Sequence, residues 1–159
     1  MTSLDIKFAL LWYFRFKRQW ICTTEFLMWD VVVFTNDYLI ETEVKVSKSD
    51  LWNGEAKKEK HNDYKAQKYP MPNKFYICVP ETLLNDAKEW VEATNKNYGI
   101  ITYHSHFDIR IYKKAKLLKN GCDAELQYKC MKRVCTENIM AMQHKLAEKE
   151  PTNDKGMEK

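Results

Sequence analysis

Residues 29–46 read WDVVVFTNDYLIETEVKV. Two runs rich in valine, isoleucine and aromatics, 29–35 and 38–46, flank Asn36-Asp37. Such runs are strand formers, and Asn-Asp is a turn pair that tolerates positive φ. If Asn36 and Asp37 are the two loop residues of a tight hairpin, Thr35 faces Tyr38 and Phe34 faces Leu39. Continued back along both strands, that register sets Asp30 directly opposite Glu43. Cross-strand partners share a face with Cβ atoms ~4.5–5.5 Å apart. Lys45, two residues past Glu43, points to the same side.

Two carboxylates in that position repel, and at least one is expected to hold its proton more tightly. A hard divalent cation is the natural compensator. Mg²⁺, with Mn²⁺ as a substitute, takes one or two carboxylates plus water and phosphate oxygens, and the Val44 carbonyl adds a further oxygen. Lys45 beside them orients water or offsets charge on a phosphorane-like transition state. The plainer alternative is a hairpin with two surface acids and a neighbouring lysine in a salt bridge.

The rest of the chain extends an α/β pattern around this hairpin. Residues 3–19 place Leu4, Phe8, Leu11 and Trp12 on one helical stripe, and 20–26 form a first strand. Ser47 precedes Asp50 by three residues, as in a capping box, ahead of a polar helix over 50–66 weakened by Gly54. Pro70 and Pro72 mark a loop. Residues 74–79 (KFYICV) are a strand that Pro80 ends, and Thr82 caps a helix to about 95. Residues 99–104 and 108–113 are short strands. Asn120-Gly121 turns the chain, and Asp123 caps a long last helix whose Met131, Cys135, Ile139, Met142 and Leu146 recur at helical spacing. The expected organisation is one domain over 1–150, with a disordered polar tail from Pro151 to Lys159.

The 159 residues include 45% hydrophobic and 13% aromatic side chains, enough for a real core. Phe8–Phe14 is too short to span a bilayer and runs straight into Arg15, Lys17 and Arg18. It lacks the marks of a signal peptide, so a soluble, cytoplasmic protein without a membrane partner is expected. The five cysteines show no C-x-x-C spacing and read as reduced thiols. His104 and His106 share a strand face, but no third zinc ligand stands at a fitting spacing. Trp52 is the best candidate among the tryptophans for stacking on a base, although core is the commoner fate of such a side chain. Two segments, 7–18 and 110–120, carry basic residues and no acid, which suits a polyanion.

The stretch WDVVVFTNDYLIETEVKVSKSDL resembles the core motif of the PD-(D/E)XK nuclease superfamily, an Asp on one strand before Glu-x-Lys on the next. The following KVSKSDL, KHNDY and KFYICVP are similar to the MmcB-like family associated with DNA repair, with a K-x-x-x-Y helix segment and an apolar strand ending in Val-Pro. Trp29 and His61 depart from that pattern. The resemblance covers about residues 20–113. It implies a restriction-endonuclease-like αβββαβ core, a mixed central sheet flanked by helices, followed here by the C-terminal helix. It implies Mg²⁺-dependent hydrolysis of DNA, in repair, recombination or a mobile element. Asp30 and Glu43 would hold the metal, Lys45 would be the catalytic lysine, and Glu25 a further acid of the site. Lys48, Lys57, Lys60 and Tyr64 are the expected DNA contacts. By analogy with structure-selective relatives, a homodimer is expected. Two rival functions stay open: a DNA-binding module on the same fold that cleaves nothing, and an interaction factor docking through its last helix.

Overall fold

The computed structural model describes residues 1–55, 58–68 and 70–148, with the side chains of 146 and 147 left aside. Its elements run α1 (Ser3–Trp12), β1 (Ile21–Phe26), β2 (Trp29–Phe34), β3 (Leu39–Val44), α2 (Lys60–Lys65), β4 (Lys74–Pro80), α3 (Leu84–Thr94), β5 (Gly99–Ser105), β6 (Asp108–Lys113) and α4 (Ala124–Ala147). The first part is therefore the expected αβββαβ order. The six strands form one mixed sheet in chain order. β1, β2 and β3 are an antiparallel meander. β4 and β5 lie parallel to β3, which needs the crossovers through α2 and α3, and β6 returns antiparallel.

The hairpin has the predicted register. Val31 pairs with Thr42, Val32 with Glu41, and Phe34 with Leu39. The Thr35 amide donates to the Tyr38 carbonyl at 2.9 Å and closes the two-residue loop. Neither loop residue has positive φ. Instead the Thr35 hydroxyl accepts from the Asp37 and Tyr38 amides, so a local side-chain bond sets the turn.

α1 opens with a reciprocal capping box between Thr2 and Asp5. It closes in a wider turn over Tyr13–Lys17, after which Gln19 takes φ 57° and the Trp20 amide donates to the Phe14 carbonyl. Ile6 and Leu10 of this helix, with Phe14 of the turn after it, cover one face of the sheet, against Val31, Val33, Ile40 and Val44. On the other face Trp90 and Val91 of α3 and Tyr64 of α2 pack on Phe75, Ile77 and Val79. The start of α4 covers Val32, Phe34 and Leu39 with Leu126 and Cys130. Further along, the Glu137 carboxylate accepts from the Thr24 amide at 3.3 Å and from the hydroxyls of Thr23 and Thr24. Past that point Ile139, Met140 and Met142 stand exposed.

The helix expected over 50–66 is two pieces, a wide turn at Asp50–Glu55 and then α2. Gly54 is a poor helix former. Its place is tight, because a Cβ there would lie 2.8 Å from Asp50 Oδ1. Ser47 does receive the Asp50 amide on its hydroxyl, at 3.1 Å. The expected cap Thr82 sits inside a short 3₁₀ turn, Glu81–Leu83, that precedes α3. The tail from Pro151 lies outside the described residues. No helix among the described residues is long and apolar enough to cross a membrane.

Candidate active site

All six residues of β3 are buried. Strand alternation sends Ile40 and Val44 to the α1 face and puts Glu41, Glu43 and Lys45 in a row on the other. Lys45 still belongs to the sheet, since its amide donates to the Cys78 carbonyl at 2.9 Å. Three charges in a row on a buried face need partners, because an unpaired buried ion costs several kcal/mol. The wide turn and α2 supply them.

Lys60 Nζ lies 2.7 Å from Glu41 Oε1, 2.7 Å from Glu43 Oε1 and 3.2 Å from Glu55 Oε1. Lys58 Nζ is 2.8 Å from Glu43 Oε2 and 2.7 Å from Glu55 Oε2. Lys45 Nζ is 3.1 Å from Glu55 Oε2 and 3.6 Å from Glu43 Oε2. The Tyr64 hydroxyl donates to Glu41 Oε2 at 2.5 Å. His61 links Glu55 to the Tyr98 hydroxyl, at 2.9 Å on each side. Three carboxylates thus face three ammonium groups, most of them shut away from water. The Glu43 side chain is 1% exposed, while Lys58 is 37% exposed and forms the outer wall. A cavity of about 380 Å³ lined by Met28, Lys58, Glu59, Lys60 and Asp63 lies on the outer side of Lys58 and Lys60.

The environment drives these groups in different directions. Burial raises Glu41, and the neighbouring Glu43 adds to this against the pull of Lys60, so its carboxyl is pushed up to about 8. Burial works the same way on Glu55, but the His61 hydrogen bond and the Lys60 charge overcome it and hold that carboxyl below its ordinary range. Burial disfavours the Lys60 ammonium, and the charges of Glu41, Glu43 and Glu55 reverse this and raise it. Lys45 follows the same balance, with Glu55 and Glu43 as the raising groups.

Asp30 finds a different setting from the one expected. The β2–β3 pairing ends at Val31–Thr42, so the expected Asp30–Glu43 opposition is not formed: Asp30 reaches toward α1, and the two carboxylates do not converge. Asp30 Oδ2 accepts from the Val44 amide at 2.9 Å, and Oδ1 is 2.9 Å from Lys7 Nζ of α1. Like charges separate when each has its own cation, and Lys7 serves Asp30 as Lys58 and Lys60 serve Glu43. Burial would raise Asp30, and the bonds from Lys7 and Val44 bring it below its ordinary range. Glu25 pairs with the same Lys7, at φ 49° near the end of β1. It is therefore joined to Asp30 through one ammonium and stands apart from Glu43.

The expected DNA contacts need correction. Lys60 and Tyr64 are buried and bonded to Glu41, because three acids leave the ammonium no reason to face solvent. Lys48 is exposed, with its ammonium 2.6 Å from Asp86. Lys57 lies outside the described residues. Trp52 packs half-buried beside the core under α3. His104 and His106 part company, the first 3.0 Å from Glu81 and the second 3.4 Å from Asp5. Glu41, Glu55 and Lys58 are not singled out by the sequence, while His61 enters it only as a departure from the family pattern and Lys7 only as part of a basic segment. For Glu41 the signal was present, since it has the same strand parity as Glu43 and Lys45.

The donors suit a hard cation in kind, being anionic oxygens beside a cavity. Glu43 Oε1 and Glu55 Oε2 have ammonium groups at 2.7 Å but none in hydrogen-bond geometry, so each keeps an undirected lone pair. Among the described residues no cluster of three or more His, Cys, Asp or Glu side chains is arranged to hold a metal ion. An ion here would be held by one or two carboxylates, and Lys58, the exposed member, would have to swing away from Glu43. Comparison with family models, with curated proteins and with solved structures finds no match to this chain.

Proposed function

We propose that the chain is a metal-dependent nuclease that hydrolyses phosphodiester bonds of DNA. The observation that carries this is the pairing of Glu43 and Lys45 on one buried face, 3.6 Å apart, with Asp30 on the adjoining strand bonded to the amide of the intervening Val44. For Asp30, Glu43 and the Val44 carbonyl to hold Mg²⁺ or Mn²⁺, Asp30 would have to leave Lys7 and turn toward Glu43, and the bound ion would then supply an acidified water and a clamp for the scissile phosphate. Lys45, kept charged by Glu55 and Glu43, offsets negative charge on the phosphoryl oxygens. Lys58 guards the entrance and, in releasing Glu43, can pass its charge to an incoming phosphate. The proposal extends to a cytoplasmic location, a role in repair, recombination or a mobile element, and a homodimer.

One feature favours a second reading. Glu41, Glu43 and Glu55 are already matched by Lys45, Lys58 and Lys60, which suits a DNA-binding module that holds a strand without cutting it. Incubation with single-stranded, duplex and branched DNA separates the two. The nuclease requires Mg²⁺- or Mn²⁺-dependent cleavage that falls by about 100-fold or more in Glu43→Gln and Lys45→Ala. Cleavage unchanged in both variants overturns the assignment. Salt-sensitive binding with no cleavage of any form transfers it to the second reading.

A further inference from the structure

At the opposite end of β3 from Lys45, and on the α1 face, the tip of the β2–β3 hairpin and the end of α1 border an open cavity of about 510 Å³. That volume lies within the roughly 300–1,000 Å³ of small-molecule sites. Arg18, Trp20, Asn36, Asp37, Tyr38 and Lys74 line it. Five residues of extended strand separate Ile40 at its floor from Lys45, roughly 17 Å. It is therefore a different place from the candidate active site.

Its polar groups are poorly used by the protein. The Arg18 guanidinium packs 5.3 Å from the centre of the Tyr13 ring and 5.9 Å from that of Trp20, and its Nε and Nη2 donate to the Tyr13 hydroxyl at 3.0 and 2.7 Å. A guanidinium has five N–H groups, so three remain. Lys74 Nζ sits 4.3 Å over the Tyr38 ring. Among the described residues neither cation has a carboxylate partner, in contrast to Lys7, Lys45, Lys48, Lys58 and Lys60. The Asp37 carboxylate and the Asn36 amide at the rim likewise have no side-chain partner among the described residues. Gln19, between Arg18 and Trp20, holds φ 57°, a left-handed conformation that carries the chain around the cavity wall.

We propose that this cavity binds a nucleotide, either free or as the phosphorylated end of a strand. Two cations with spare donors call for a phosphate. Arg18 and Lys74 lie over the Trp20 and Tyr38 rings, and a ligand whose phosphate draws those cations off the rings frees a face for its base, since rings beside cations are how nucleotide units are commonly gripped. Asp37, which would repel a bare phosphate, accepts from the amino group of a base. The ligand must therefore carry anion, ring and N–H donor together.

The test is a titration of the whole chain, followed by tryptophan fluorescence, with deoxyadenosine 5′-monophosphate and a 5′-phosphorylated tetranucleotide. Deoxyadenosine and inorganic phosphate serve as the parts. A saturable response is expected to at least one phosphorylated probe, with the parts about tenfold weaker or worse. Response to the monophosphate indicates the free nucleotide, and response to the tetranucleotide alone the strand end. Binding is expected to weaken by about tenfold in each of Arg18→Ala and Lys74→Ala, and to persist in EDTA and in Glu43→Gln. That persistence separates it from the nuclease reading. No saturable response up to millimolar probe overturns the proposal. So does unchanged affinity in the Lys74→Ala variant, which strands no carboxylate among the described residues and stands in should Arg18→Ala, with its two bonds to Tyr13, fold poorly. Loss of binding in a Glu43→Gln variant that keeps the parent's cooperative urea unfolding also overturns it, since the ligand would then sit at the other site.

Discussion

The two faces of β3 are equally dry and chemically opposite. Alternate residues of one strand give Ile40 and Val44 to an apolar layer under α1, and Glu41, Glu43 and Lys45 to a charged layer beside α2. The first layer is held by removal of apolar area from water, which is non-directional and tolerant of small shifts. The second is held by pairing, where each member exists to neutralise another and loss of one strands the rest. Burial alone therefore says little about how a face will respond to change. The kind of force says more.

The largest expected effect is on the charged face. Lys60→Ala leaves Glu41, Glu43 and Glu55 without their shared cation and is expected to cost about 3–5 kcal/mol in urea unfolding. A loss below about 1 kcal/mol would mean that water already reaches the cluster, and the contrast between faces would collapse. On the apolar face Leu10→Ala opens a cavity against Val31 and Val33 and should cost about 3 kcal/mol, by the same measurement. That cost should hold constant between pH 5 and 8, because the layer holds no titrating group in this range.

The charged face should answer to pH. Glu41 titrates near 4.5 in an unfolded chain and near 8 in the folded one, so between these values the folded state binds the extra proton. Its contribution is complete below pH 4.5 and is lost as pH rises toward about 8. Glu41→Gln is neutral throughout and lacks this pH dependence. The stability of the parent relative to the variant should decline across that window, by at most about 1.4 kcal/mol per pH unit. Glu55 is held down and titrates below the window, so it does not interfere. A flat difference would place Glu41 among ordinary carboxylates. The smallest effect is expected at Lys48→Ala. Lys48 is exposed and its pair with half-buried Asp86 is open to solvent on one side, so the melting temperature should not move measurably.

The hairpin was legible because two local signals agreed, a two-residue polar loop and runs of valine and isoleucine on either side. Together they fix the register, and the observed pairs Val31–Thr42 and Phe34–Leu39 follow it. Strand parity then brings Glu43 and Lys45 together. The fate of Asp30 was not legible, because it depends on Lys7, some twenty residues earlier in another element. Nor was the inward turn of Lys60 and Tyr64. On a helix, periodicity separates faces by apolar content, and a lysine reads as a solvent marker. Here the surface it meets is acidic, so the rule inverts. Glu55 and His61 were hidden for the same reason, since their roles exist only across the packed interface.

The carboxylate of Glu137 has a consequence at the margin of the sheet. β1 is an outer strand, and a bare outer strand offers its amides as a template on which another chain can extend the ladder. Glu137 occupies the Thr24 amide and both threonine hydroxyls beside it, and sets a negative charge in the path of any incoming backbone carbonyl. The last helix is thus a guard rail, and a chain shortened ahead of Glu137 would be prone to stack strand upon strand into insoluble aggregates.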